Sequence, residues 1–100
     1  MLARLYVIIE SEDIKDYQMI KDLLLQINPN FSISPSREYA GKKDCSEFFV
    51  TANLDVTEVP LLLERLNNDW DGEVDDCIAY GFNTKMFDSL VYHLNFQLYD

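Results

Sequence analysis

The sequence lacks the residue patterns that mark most enzymes and metal proteins. It contains one histidine, two cysteines and three glycines, and no glycine-rich phosphate loop, HExxH, GxSxG or CxxC motif. Cys45 and Cys77 lie far apart, with no further cysteine or histidine at metal-ligand spacing. A lone cysteine and the lone His93 are more often packing residues than a nucleophile and its base. We therefore expect no catalytic site, no metal site and no cofactor.

Long apolar runs are also absent. The run Leu5-Tyr6-Val7-Ile8-Ile9 ends at Glu10 and is far shorter than the roughly 20 residues of a membrane-spanning helix. No secretory signal with a small-residue cleavage site precedes it. We therefore expect a cytoplasmic protein, in which the two cysteines stay reduced and unbridged.

Positive charge is scarce, because 8 basic residues face 18 acidic ones and the formal net charge is −10. Phosphate backbones and anionic membrane surfaces bind proteins with an excess of lysine and arginine, so both are poor partners for this chain. A basic protein would be attracted instead. The alternative is that the acidity serves solubility alone.

What is present is the composition of one globular domain, which we place over residues 1–100 because 48% of the chain is hydrophobic and no linker interrupts it. Alternating apolar residues predict strands over residues 3–10, 31–35, 47–54, 77–82 and 93–99. Pro35 places the second strand at an edge of the sheet. A cap at Ser11, carboxylates of Glu12 and Asp13 in the first turn and apolar residues at helical spacing from Ile14 predict one helix that runs to about Ile27, where Asn28-Pro29 ends it. A second helix is predicted with Thr57 as its N-cap, which places Pro60 at the third helical position. Residues 83–90 are compatible with a loop or a short helix.

This order of elements is typical of an α+β, ferredoxin-like split βαββαβ domain with an additional C-terminal strand. We expect an antiparallel sheet in the order 4-1-3-2, with the fifth strand beside the fourth and both helices on one face. The other face would be open and partly apolar. It would carry Tyr6, Ile8, Phe49 and Thr51.

The most distinctive segment covers residues 67–76, which hold five carboxylates, the only tryptophan and no basic residue. A calcium loop of the EF-hand type would need its glycine at the sixth position, whereas Gly72 is fourth when Asp69 is first. Two interpretations remain. The segment is either a solvated loop whose Trp70 completes the core, or a docking site for a basic protein with Trp70 as its aromatic anchor.

In a split βαβ fold, the loop after the first strand and the loop after the second helix lie at the same end of the sheet. The carboxylates of both loops should then converge, with Lys42 and Lys43 nearby, and such a concentration costs self-repulsion that binding would explain. The predicted partner-binding residues are Glu10, Glu12, Asp13, Asp69, Trp70, Asp71, Glu73, Asp75 and Asp76.

In its size, acidity and lack of motifs the chain resembles the immunity proteins that neutralise secreted bacterial toxins, especially the nucleases of contact-dependent growth inhibition. These proteins share no common motif, so the resemblance transfers no residue roles. It implies a mechanism in which carboxylates occupy the basic cleft where a toxin binds the phosphates of its substrate.

A second hypothesis uses the open face of the sheet. Its aromatic character suits a module that binds a small ligand there, or that forms a homodimer through that face, and the ferredoxin-like fold hosts many such functions.

Overall fold

The computed structural model describes residues 1–67, 69–81 and 85–99. Within these residues the chain forms two α-helices, one 3₁₀ turn and a seven-stranded antiparallel sheet. The strands are β1 Leu2–Ile9, β2 Ser32–Ile33, β3 Arg37–Glu38, β4 Ser46–Asn53, β5 Asp71–Glu73, β6 Asp76–Tyr80 and β7 Val91–Tyr99, and the helices are α1 Ile14–Ile27 and α2 Val59–Leu66. The predicted α+β class, with two helices and an antiparallel sheet, is confirmed. Neither helix is long and apolar enough to cross a bilayer.

The sheet runs in the order β2-β4-β1-β7-β6-β5, and β3 also pairs with β4. β1 is central, with Leu5 opposite Val50 of β4 and Phe96 of β7. The C-terminal strand does pair with the strand at 77–82, as predicted. The predicted pairing of the strand at 77–82 with the first strand is wrong, because β7 lies between β1 and β6. The lengths explain this, since β7 has nine residues to pair with the eight of β1, whereas β6 has five. The longer strand satisfies more of the backbone of β1.

The hydrophobic core lies on one face of the sheet. Val7, Val50 and Leu94 are at most 1% exposed and belong to one buried cluster with residues of both helices. Because side chains alternate along a strand, every second residue from these positions faces the core, and the residues between them face the other side of the sheet. The helix residues of this cluster are Tyr17, Ile20, Leu24, Val59, Leu62, Leu63 and Leu66.

Helix α1 ends at the predicted residue, but the prediction of Ser11 as its cap is wrong. Asp13 is its N-cap, and its side chain accepts a hydrogen bond of 2.9 Å from the backbone N–H of Lys15. The helix ends at Ile27, and the N–H of Asn28 still bonds to the oxygen of Leu24 before Pro29 prevents continuation.

The prediction of Thr57 as the N-cap of the second helix is wrong. Asp55 caps a 3₁₀ turn, Val56–Glu58, in a capping box with Glu58, and α2 follows from Val59. Pro60 falls in the first two positions of α2. In a continuous α-helix capped by Asp55, Pro60 would lie deep enough to leave a backbone oxygen without its hydrogen bond. The 3₁₀ turn avoids this loss, because it places Pro60 in the first turn of α2.

The remaining differences concern short strands and connections. Pro35 divides the predicted strand at 31–35 from β3, and β2 and β3 both pair along β4. Residues 71–73 were predicted as part of a polar connection. They form β5, which pairs with β6 in a hairpin. Of the predicted strand at 77–82, Phe82 lies outside the described residues, as do Asn83 and Thr84 of the following connection. Residues 85–90 form turns and bends.

Candidate functional site

The first group of predicted binding residues follows β1. Glu10 forms an ion pair with Lys42, with 3.2 Å between Oε2 and Nζ, and Asp13 caps α1. The Lys42 ammonium also lies 3.9 Å from the ring centroid of Tyr92, and the hydrogen bond that it donates to Glu10 raises the pKa of Lys42. Glu12 is exposed. Two of these three carboxylates therefore already have local structural partners.

The second group begins after α2. The C-terminus of α2 lies at the Glu10 end of the sheet, because Leu66 and Glu10 both bond to the segment at 85–90. Asp69 is exposed, and its backbone N–H bonds to Oδ1 of Asn67 at 2.7 Å.

The β5–β6 hairpin carries the rest of the second group. Asp71, Glu73, Asp75 and Asp76 are all exposed, and none forms an ion pair with a basic group in the described part of the chain. β5 is the last strand of the sheet. We call Asp69, Asp71, Glu73, Asp75 and Asp76 the acidic edge.

The structure does not bring the two groups together as expected. Leu98 pairs with Ala3, and its N–H bonds to the oxygen of Asp75 at 3.0 Å, so the hairpin turn lies beside the beginning of β1. Glu10 follows the other end of β1, about 25 Å away at the rise of an extended strand. The loops do converge as far as Asp69, but the hairpin leads Glu73, Asp75 and Asp76 back along the edge to the opposite end.

Trp70 is half-buried between the acidic edge and the core. Its Nε1 donates a hydrogen bond of 2.9 Å to the backbone oxygen of Leu63, and its ring meets Phe96 edge-on at 6.5 Å. It packs against the buried cluster. The arrangement matches the interpretation in which the indole completes the core.

Both cysteine thiols are buried and free. Burial raises the pKa of Cys77 to about 11, with a smaller contribution from the charge of Asp76, and burial also raises the pKa of Cys45. A thiol with a raised pKa is a poor nucleophile at neutral pH. Among the described residues, no three metal-ligating side chains of histidine, cysteine, aspartate or glutamate gather.

The open face has a row of aromatic rings across its strands. The ring centroids of Phe49 and Tyr6 are 5.0 Å apart, those of Tyr6 and His93 6.2 Å, and those of His93 and Tyr80 4.9 Å. We call these four residues the aromatic row. Ile8 was also expected on an open surface, but it is only 3% exposed. It pairs with Glu47 on one side and His93 on the other, and these larger side chains share its face.

Beside this row lies a polar network that joins three strands. Arg37 donates from Nε to Oε2 of Glu47 at 2.8 Å, and the hydroxyl of Tyr6 donates to Oε1 of the same carboxylate at 3.1 Å. Burial and the bond to Glu47 raise the pKa of Tyr6 to about 12. The guanidinium of Arg4 lies over the Phe49 ring, 4.3 Å from its centroid.

Sequence reasoning missed the polar members of this face. Arg4 alternates with Leu5 and so shares a face with Tyr6, a signal that was present in the first strand. Asn95 and Gln97 could not be placed there, because the strand that holds them was expected at the far edge and not beside β1.

No protein-family model matches the sequence, and neither a curated protein nor a solved structure shows detectable similarity to it.

Proposed function

We propose that the chain is a protein-binding inhibitor of the immunity type, which neutralises a basic partner, a secreted nuclease toxin, by covering its active cleft with the acidic edge. The observation that carries this proposal is the concentration of five exposed carboxylates along one edge, none paired with a described basic group. The lysine and arginine side chains that bind phosphate also bind carboxylate.

The geometry of the acidic edge favours an elongated contact with the partner over a compact one. Asp71 and Glu73 are two residues apart on an extended strand, so they present charges about 6.6 Å apart. The line of charge continues through the turn to Asp75 and Asp76. Such a line suits a groove in the partner, and Glu10, Glu12 and Asp13 lie too far from the hairpin turn to belong to the same small contact.

We also infer a ferredoxin-like origin for the fold, with β2, β4, β1 and β7 as its four strands. When these four strands are numbered 1 to 4 along the chain, their order across the sheet from β7 to β2 is 4-1-3-2. The β5–β6 hairpin is then an insertion before the last of the four. An insertion at a sheet edge is a common place for a binding function, because the scaffold does not depend on its outer surface. This supports the acidic edge as the binding element.

The test uses the product of the neighbouring reading frame, which the proposal requires to include a secreted toxin domain. Association with that domain should be fast, and its rate should fall steeply as salt is raised. Replacing Asp69, Asp71, Asp75 and Asp76 by asparagine should leave the fold intact and lower the association rate about tenfold or more at low salt. The nuclease should then be inhibited less at equal protein concentration.

A matched control removes the same charge elsewhere. Asp22, Glu38, Glu58 and Glu64 are exposed and lie outside the acidic edge, so their replacement by the corresponding amides changes the net charge equally. Equal slowing by both sets would show that only net charge matters and would contradict the assignment of the site. No binding of the neighbouring toxin domain by the unaltered protein would contradict the function.

A further inference from the structure

The open face of the sheet contains a shallow cleft that the proposed function does not use. Its volume is about 350 Å³, near the lower limit for small-molecule sites. It lies where β4, β1 and β7 run side by side, with Arg37 of β3 at its rim. It is lined by Arg4, Tyr6, Arg37, Glu47, Phe49, Asn95 and Gln97.

Arg4 supplies an uncompensated positive charge to this cleft. It stacks on Phe49, and no described residue forms an ion pair or side-chain hydrogen bond with it. A stacked guanidinium keeps its N–H donors in the plane of the group, where they match the two oxygens of a carboxylate. In a chain with a net charge of −10, an unpaired arginine on an aromatic surface is a specific feature.

The other charges of the cleft neutralise each other. Arg37 and Glu47 form an ion pair of 2.7 Å, and the Glu47 side chain is only 12% exposed. Its second oxygen is occupied by the Tyr6 hydroxyl. Glu47 therefore does not compete for Arg4, and the cleft retains a charge of about +1 for an anionic ligand.

Asn95 supplies a polar group without a partner. Its Oδ1 is buried and has no hydrogen bond with any residue at 1–67, 69–81 or 85–99. Asn95 pairs with Tyr6 while Arg4 pairs with Gln97, so Arg4 and Asn95 are diagonal neighbours, about 7–8 Å apart. A rotation about χ2, which is broad for asparagine, would bring the buried Oδ1 to a donor bound in the cleft.

We propose that this cleft binds a small aromatic carboxylate with a hydrogen-bond donor at the end of the ring opposite the acid. The carboxylate pairs with the Arg4 guanidinium, the ring lies against Tyr6 and Phe49, and the donor satisfies Oδ1 of Asn95. A nucleic acid does not fit the same face, because its phosphates would extend beyond Arg4 to Asp71, Glu73 and Asp76, which share that face through the cross-strand pairing. The single carboxylate of a small ligand stays at Arg4.

The test is an NMR titration of the uniformly ¹⁵N-labelled protein with 4-hydroxybenzoate. The backbone amides of Arg4, Tyr6, Phe49 and Asn95 should shift in a saturable manner, with a Kd of roughly 10 µM to 1 mM, as expected of a ligand with about ten heavy atoms. The neutral 4-hydroxybenzamide, which has the same shape, should bind roughly 10- to 100-fold more weakly, because the charged hydrogen bonds are lost.

Variants locate the ligand. Arg4→Gln should weaken 4-hydroxybenzoate roughly 10- to 100-fold, whereas Arg65→Gln, which removes an exposed arginine outside the cleft, should not change its affinity. Asn95→Leu should weaken 4-hydroxybenzoate but not benzoate, which lacks the donor. Each variant is first shown to be folded by its own amide spectrum.

Several results would overturn the proposal. They are no saturable shift with either acid, equal binding of the acid and the amide, or unchanged affinity in Arg4→Gln. Sedimentation that shows a dimer, dissociated by Arg4→Glu, would assign the face to a second copy of the chain instead. Because the cleft and the acidic edge are tested with different ligands and different variants, either assignment can fail without the other.

Discussion

The indole of Trp70 and the backbone oxygen of Leu63 are joined by a 2.9 Å hydrogen bond that holds the start of the acidic edge on the last turn of α2. The same oxygen accepts the N–H of Asn67, so both of its lone pairs are used. Trp70 therefore connects the acidic edge to the hydrophobic core.

From this geometry we expect Trp70→Ala to destabilise the fold by about 3 kcal/mol, because an aromatic side chain and its hydrogen bond are removed together. Trp70→Phe should cost less, since the contact with Phe96 is retained in part. Urea unfolding followed by circular dichroism measures both. If Trp70→Ala had native stability, the indole would have to be an interface residue without a role in packing.

Glu73 and Asp76 face each other directly across the β5–β6 hairpin. Like charges at paired positions repel, so Glu73→Lys should raise the free energy of unfolding by roughly 0.2–1 kcal/mol. Asp22→Lys makes the same change in net charge on the exposed side of α1 and serves as the control. If both variants gained equally in stability, relief of the overall charge would be responsible and not the pair.

The two faces of β4 are tested by adjacent residues. Val50 is 1% exposed in the core, whereas Thr51 is half-exposed on the open face. Val50→Asp should unfold the protein because it buries an unpaired charge, and Val7→Asp should do the same on β1. Thr51→Asp should remain folded in the same thermal melt. A folded Val50→Asp or an unfolded Thr51→Asp would mean that the faces of the strand are reversed.

Much of this fold could be predicted, because strand alternation and the asparagine and proline that end α1 are local signals. The alternation of apolar and polar residues in β1 and β4 identified both strands and their buried faces. Asn28-Pro29 identified the end of α1. The start of α2 was missed because a 3₁₀ turn changes the position at which Pro60 is tolerated. The place of β7 was missed because pairing between distant strands depends on total ladder length, which no local pattern encodes.

The candidate site was predictable in composition but not in shape. The carboxylates of residues 69–76 and their exposure followed from the sequence. Their position along one edge depends on the β5–β6 hairpin, whose strand β5 has only three residues and no apolar alternation. The cleft around Arg4 depends on β7 lying beside β1. Because β7 was predicted at the far edge of the sheet, both Asn95 and Gln97 were missed as members of the cleft.

The cysteines provide a prediction about reactivity. Since both thiols are buried, and burial raises the pKa of Cys77 to about 11, they should react slowly with a thiol reagent in the native protein at pH 7.5. In denaturant without reductant, titration should find two free thiols. Recovery of fewer than two would indicate a disulfide or a modified cysteine, and rapid reaction in the native state would contradict the burial.

The last prediction concerns His93, the only histidine, whose ring lies between Tyr6 and Tyr80 in the aromatic row. Burial lowers its pKa, and a hydrogen bond with the backbone of Ala79 offsets this only in part. Because the pKa in the unfolded chain stays near 6.5, the unfolded state binds more protons between that value and the lower native pKa. The free energy of unfolding should therefore decrease as the pH falls from 7.5 to 5 at constant salt. The carboxylates titrate in the same direction in the native protein and in His93→Gln, so the difference between the two proteins isolates the imidazole. Chemical unfolding at intervals of half a pH unit should show that difference shrinking as the pH falls. A difference that is independent of pH would mean that the fold leaves the pKa of His93 at its unfolded value, and one that grows toward low pH would mean that the fold favours the charged ring. Either result would contradict the burial of the imidazole in the aromatic row.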